Sequence, residues 1–317
     1  MMKILLYTFF SLLITAGCKL YQGHSESELS KRQLKSASGK TMAIYYAATH
    51  QGEGVKPAVV IFEPYMLTLS AIDRKDKGGL IPFLNYHGYP VWLLRVKDFP
   101  GTSLESMGKV EAPDLLTRVK GISSQNNFIL LGVSLGGQAV MHFLQTYIAT
   151  GRPAIIIDRI AFLGTGFDYN YPGAFPAQGL AGSDREKLRS LCESSDPACN
   201  YFKNQKGQTV LNAVEYIPLL EKNPVTAFSF LKDLAGPVFF VQGSADSIAP
   251  SESVYPVYRL VGSSINPNPV AADIDKLYMT AGKINNIRVD YDHFMLFYHP
   301  RANEEIYPYM LDRFEGR

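Results

Sequence analysis

The feature that most restricts the fold of this chain is a regular alternation of short apolar runs with longer amphipathic ones. "TMAIYYAATH" and "PAVVIFEP" read as β-rich strands, parted by the Gly/Pro-rich "QGEGVKP". "GGLIPFLNYHGY" fits a helix with Gly88 near its end, and "PVWLLRV" is a continuously apolar strand, the pattern of one buried on both faces. "APDLLTRVKGIS" (helix), "FILLGV" (strand), "GGQAVMHFLQTYI" (a helix apolar on most faces) and "DRIAFLG" (strand) continue the series, which resumes at "GPVFFVQG". Strands alternating with helices imply right-handed crossovers and a mostly parallel central sheet with helices on both faces. A helix near Ser251 to Leu260, a strand "INNIRVDY" and a terminal helix "NEEIYPYMLDRF" complete the expected order.

One interruption stands out. Between "DRIAFLG" and "GPVFFVQG" lie about seventy residues, far longer than an ordinary connection, so they read as an insertion. The expected organisation is an α/β core over residues 41–166 and 236–317, with a lid or cap over 167–235. Aromatic residues in that insertion (Phe167, Tyr169, Tyr171, Phe175) suit either an apolar binding surface or the lid's own core. Two further helices are expected there, around Leu211 to Leu220 and Thr226 to Leu234.

The amino terminus is of another kind. Lys3 precedes an apolar run from Ile4 to Ala16, too short to span a bilayer and of the length of a signal-peptide core. Ala16-Gly17-Cys18 resembles a bacterial lipobox, which implies a lipid on Cys18 and removal of residues 1–17, although Thr15 departs from the usual Leu or Val. Secretion without a lipid is the alternative, and a buried apolar N-terminal helix is the weakest reading. Residues 18–40 are polar and nearly free of large aliphatic side chains, as a tether would be. In an oxidising compartment Cys192 and Cys199 are expected to pair, restricting the unfolded chain by about 2.5 kcal/mol. No histidine is near them in sequence, which disfavours a metal site. A net charge of +2 without a Lys/Arg run offers no face for nucleic acid.

At the turn from "FILLGV" into the next helix the chain reads Gly132-Val133-Ser134-Leu135-Gly136. Gly-x-Ser-x-Gly by itself is weak: a chain with this one's glycine and serine content carries it by chance about once in six or seven. Its place between a buried strand and a buried helix is the stronger signal, because a sharp strand-to-helix turn holds the serine exposed at the sheet's carboxyl edge. Gly132 and Gly136 are expected to let strand and helix approach, and the Leu135 N–H lies at the positive helix end, where it can face a developing oxyanion.

Serine at neutral pH needs a base. His293 in "VDYDHFMLF" follows the last expected strand, where its loop returns to the sheet edge beside Ser134; His299 is the runner-up. His24, His50, His87 and His142 fall in the tether, an early loop, a helix end and the serine's own helix. An acid must then orient the base. Asp246, in the turn "GSAD" after "VFFVQ", is placed for that role, whereas Asp290 and Asp292 are so near His293 in sequence that their side chains should point away from its ring.

Ser134, Asp246 and His293 in that chain order resemble the α/β-hydrolase superfamily, from about Thr41 to the carboxyl terminus. "GTGFDY" and "YDHFMLFYHPRANEEIYPYML" look like its lipase and polyhydroxyalkanoate-synthase-like branch, whose synthases carry cysteine at the elbow where this chain has Ser134. Members often have His-Gly after the strand corresponding to "AVVIF"; here stands Glu63-Pro64-Tyr65, and proline has no N–H to donate. A Pro-Tyr at this place is similar to cocaine-esterase-type enzymes, in which the tyrosine hydroxyl supplies a hydrogen bond. The resemblance implies an α/β-hydrolase fold and a serine hydrolase that cleaves carboxylic esters without a cofactor; the signal-like amino terminus adds export, and the aromatic insertion suits an apolar acyl or aryl group. Leu135 and Tyr65 would form the oxyanion hole, and the lipid anchor would hold the protein to a membrane of the bacterial envelope. A peptidase or acyltransferase on the same residues, and a non-catalytic surface-binding lipoprotein, are the alternatives.

Overall fold

The computed structural model describes residues 32–48, 56–62, 79–96, 102–123, 125–150, 155–168, 224–234, 236–266 and 275–316. Cys18, Tyr65, Cys192, Cys199, the helix expected around Leu211 to Leu220 and most of the insertion lie outside them. Eight strands form one sheet in the order β1-β2-β4-β3-β5-β6-β7-β8. They are β1 (Arg32–Lys35), β2 (Thr41–Tyr46), β3 (Ala58–Phe62), β4 (Val91–Val96), β5 (Asn127–Val133), β6 (Ile156–Leu163), β7 (Val238–Gly243) and β8 (Lys276–Ala281). β4 to β8 and β3 run parallel, while β2 joins β4, and β1 joins β2, antiparallel.

The continuously apolar strands take the centre, where both faces are covered. Every residue of β3 and β7 is buried, as is β5 beyond its first residue. Helices α1 (Leu80–Tyr86), α3 (Ala112–Ser123), α4 (Gly136–Ala149), α6 (Ser251–Leu260) and α9 (Tyr307–Phe314) carry the buried apolar residues that pack on the sheet. A short α2 (Leu104–Ser106) passes through a π-turn (Met107–Glu111) into α3, and Gly108 of that turn lies so close to α4 that a Cβ there would collide with the Ala139 carbonyl. Among the described residues no helix is long and apolar enough to cross a membrane.

Four elements differ from the sequence reading. The sheet begins at Arg32, within the span read as tether: "RQLK" is a surface strand held by ladder pairing with β2, which needs no apolar side chains, and Gly39 at φ +73° closes the hairpin. The last strand is "KLYMTA", not "INNIRVDY". That later stretch instead turns sharply, through a 3₁₀ turn (Lys283–Asn285) and Asn286 in the left-handed region at φ 61°, because the chain must come back to Ala281, whose carbonyl accepts the Tyr291 N–H. The terminal helix is broken at Ile306 into α8 (Ala302–Glu305) and α9, and Pro308 is accommodated in the first turn of α9. The stretch read as one helix from Thr226 to Leu234 is α5 (Pro224–Ala227) followed by a 3₁₀ turn (Ser229–Asp233).

Both described ends of the insertion pack into the core. Phe167 is fully buried between Phe162 and Phe240, at ring distances of 5.2 and 6.0 Å. Phe228 and Leu231 are likewise buried, and the Leu231 carbonyl accepts the Gly262 N–H beyond α6.

Candidate active site

The residues with chemistry gather at the carboxyl edge of the parallel strands, where ligands bind in open α/β sheets. β5 ends at Val133 and α4 begins at Gly136, leaving two residues to reverse the chain. Ser134 takes the strain: its φ is 51°, and it and Asn286 are the two non-glycine residues at positive φ among those described. Such a conformation costs about 1–3 kcal/mol and persists only where the surroundings enforce it. Here the Ser134 N–H is fixed to the Leu163 carbonyl at 2.9 Å, and the Ser134 carbonyl accepts the Gly137 N–H at 3.0 Å.

The close approach of strand and helix is made by a different glycine pair from the expected one. A Cβ on Gly132 would overlap the Gly137 Cα, and one on Gly137 would run into the Thr165 side chain. Gly137, not Gly136, is therefore the partner of Gly132. The strand-end loop after β6 is tied into the same corner. Thr165 Oγ1 donates to the Gly132 carbonyl at 3.3 Å, and buried Gln138 donates through Nε2 to the Gly166 carbonyl at 3.0 Å.

Ser134 Oγ lies 2.8 Å from His293 Nε2, and His293 Nδ1 lies 3.0 Å from Asp246 Oδ2. All three residues are buried, at 4%, 1% and 4% exposure. The other oxygen of Asp246 accepts the backbone N–H groups of Ile248 (2.9 Å) and Ala249 (2.7 Å), which fixes the carboxylate's orientation. The His293 ring stands edge-on to Phe294 and Phe297, with centroids 5.3 and 5.5 Å away. An imidazole whose Nδ1 proton is held by a carboxylate presents Nε2 as an acceptor, the tautomer that can take a proton from a hydroxyl. Leu135 precedes α4, and among the described residues its N–H has no hydrogen-bond acceptor, which leaves a donor beside Ser134 at the helix's positive end.

The other candidates are placed elsewhere. Asp290 Oδ1 accepts the Lys283 N–H (2.8 Å) and the Ser244 hydroxyl (3.1 Å); the Lys283 N–H foremost holds its carboxyl below the usual carboxylate range. Asp292 Oδ1 accepts the N–H of Met295, the first residue of α7 (Met295–Tyr298), at 2.8 Å. His299 ends that helix with its ring 5.4 Å from the ring of Tyr291, and His142 meets Phe228 edge-on at 5.3 Å. Tyr65, Cys18, Cys192 and Cys199 lie outside the described residues. Sequence reasoning passed over Gly137, Thr165 and Gln138; the doubled Gly136-Gly137 was the visible signal for the first, and nothing local marks the other two.

The sheet order, the strand-to-helix turn and the three residues at strand ends define an α/β-hydrolase fold. No protein-family model matches the sequence, and no curated protein matches it. Solved structures do match in fold. A hydrolase from Pseudomonas aeruginosa PA01 is similar at a TM-score of 0.56 and 16% identity, over 92% of this chain and 100% of that one. A bromoperoxidase from Bacillus anthracis is similar at 0.57 and 16%, over 91% and 100%. The esterase EaEST from Exiguobacterium antarcticum is similar at 0.56 and 11%, over 90% and 100%.

Proposed function

We propose that this chain is an exported, membrane-tethered serine hydrolase that cleaves carboxylic esters. The observation that carries the reading is the buried hydrogen-bonded series Ser134–His293–Asp246 at a strained strand-to-helix turn. Ser134 attacks the acyl carbonyl while His293 Nε2 accepts its proton, and Asp246 holds the ring and stabilises the imidazolium. The Leu135 N–H and Tyr65 donate to the oxyanion, and His293 returns the proton to the leaving alcohol. Water, deprotonated by His293, then attacks the acyl-serine and releases the acid. Hydrolases and esterases are among the fold neighbours, as is a bromoperoxidase, so the likeness of fold supports hydrolysis in general and the choice of esters rests on the site. Preference for an apolar acyl or aryl group rests on Tyr169, Tyr171 and Phe175, since Phe167 is committed to the core. Export and lipidation rest on the apolar run and Cys18, and pairing of Cys192 with Cys199 on the compartment that export implies.

A fluorophosphonate probe tests the chemistry, because an activated serine attacks phosphorus as it does carbonyl carbon. Wild type should label and hydrolyse an activated ester, and Ser134→Ala should do neither. A folded wild type that is inert to both, or a mutant that still labels, refutes the proposal. A panel of esters, amides and acyl acceptors separates esterase from peptidase and transferase. Intact mass tests the diacylglyceryl group on Cys18.

A further inference from the structure

The loop that carries His293 is fastened by the residue two places before it, and this fastening reaches the turn that carries Asp246. Tyr291 donates its N–H to the Ala281 carbonyl at the end of β8 (3.3 Å), and its carbonyl accepts the N–H of Ala245, the neighbour of Asp246, at 2.9 Å. Its backbone thus joins the histidine loop to the acid turn. Gly243 permits this contact, because a Cβ there would collide with the Tyr291 carbonyl. The Tyr291 side chain is fully buried and runs the other way, toward the terminal helices. Its hydroxyl donates to Glu305 Oε2 at 3.1 Å, and its ring packs edge-on against His299, the histidine that stays outside the hydrogen-bonded series. Glu305, on α8, keeps 12% side-chain exposure and has the Arg301 guanidinium 3.7 Å away. Burial first, and the Glu305 charge second, hold the phenol protonated far above its usual range, so it remains a donor at every pH at which an ester assay is run.

We infer that the Tyr291–Glu305 pair is a positioning device for the proposed hydrolysis, locking the distance between His293 and Asp246 by anchoring the histidine loop, and through it the acid turn, to the carboxyl-terminal helices. Neither side chain is placed among the reacting atoms; the pair acts through the Tyr291 backbone. The inference rests on the esterase reading. Positioning of this kind matters because reacting groups lose rate steeply when displaced by a fraction of an ångström to an ångström.

The test compares Tyr291→Phe, Glu305→Gln, Glu305→Leu and the Tyr291→Phe/Glu305→Leu double variant in the full chain, well below their melting temperatures. Tyr291→Phe keeps the ring and removes the bond; kcat on an activated ester should fall on the order of tenfold with KM unchanged, and the fluorophosphonate labelling rate should fall in parallel. Glu305→Gln keeps an acceptor for the phenol and should stay within about twofold of wild type, whereas Glu305→Leu should match Tyr291→Phe. The double variant should be no worse than either single change, as one linkage can be lost only once. Wild-type kcat in Tyr291→Phe overturns the inference, even if its melting temperature falls, and so does a Glu305→Gln loss equal to that of Glu305→Leu. If Tyr291→Phe does not fold, the Gln and Leu variants of Glu305 decide by the same comparison. A wild type that neither labels nor turns over ester sinks the esterase reading and the brace with it; an active wild type with unaltered variants sinks the brace alone.

Discussion

Replacing Asp246 by asparagine is a sharper perturbation than its size suggests, because the carboxylate's two oxygens have different duties. Oδ1 receives two backbone N–H groups, from Ile248 and Ala249, and Oδ2 faces His293 Nδ1. An asparagine has one carbonyl oxygen, and turning its NH₂ toward two N–H donors would set like dipoles against each other in a buried site. The carbonyl must therefore take the Oδ1 place and the NH₂ must face Nδ1. That donor makes Nδ1 an acceptor, moves the ring proton to Nε2, and leaves His293 unable to take the Ser134 proton. The same change of tautomer in a serine protease costs about 10⁴ in turnover, or about 5.4 kcal/mol of barrier. Turnover of an activated ester by Asp246→Asn should fall by that order, with near-native folding by circular dichroism. Asp290→Asn and Asp292→Asn should stay within about tenfold of wild type, because an amide oxygen can still accept the Lys283 or Met295 N–H. Equal losses in all three, or an Asp246→Asn variant within tenfold of wild type, would refute the reasoning.

Gly132→Ala should lower the stability by about 1–3 kcal/mol or more, seen as a fall in melting temperature, because its Cβ meets the backbone of Gly137, which cannot swing aside. Gly121→Ala, on the helix α3 with open space around it, should instead raise stability by up to about 1 kcal/mol; the opposite order would contradict the packing described. Asp290 has its carboxyl lowered by the Lys283 N–H, so its contribution to folding is present above the usual carboxylate range and lost as pH falls through the folded-state value. The melting-temperature gap between wild type and Asp290→Asn should accordingly be open at neutral pH and close in acid, and a gap that widens in acid would reverse the sign. Tyr65→Phe tests the proposed oxyanion role of the Tyr65 phenol: a fall of about 10² to 10³ in turnover would establish it, and activity near wild type, the expected outcome since a backbone N–H needs no rotamer to be held, would reject it.

The pattern of apolar runs was enough to read the architecture of the core, and the motifs were enough to name three residues that meet at its edge. "FILLGV" and "VFFV" are apolar without alternation, the pattern of a strand covered on both faces, and both lie in interior strands of the sheet. Ser134 and Asp246 were legible because each follows a strand read from its own apolar run, whereas His293 follows "INNIRVDY", which is no strand, and meets them because the loop after β8 returns to the same sheet edge. Tertiary structure alone decided where a residue's use depends on partners far away in sequence. "INNIRVDY" has the composition of a strand but is a turn, since the return to Ala281 and the docking of Tyr291 on Ala245 outweigh local propensity. "RQLK" has no strand signal of its own and pairs because β2 offers an edge. Gly137, rather than Gly136, became the contact of Gly132 because the phase of α4 against β5 is set by the packing of the whole helix, not by the motif. The tie from Tyr291 to Glu305 joins a loop to a helix whose register only the folded chain fixes, which is why nothing in the sequence near His293 announces it.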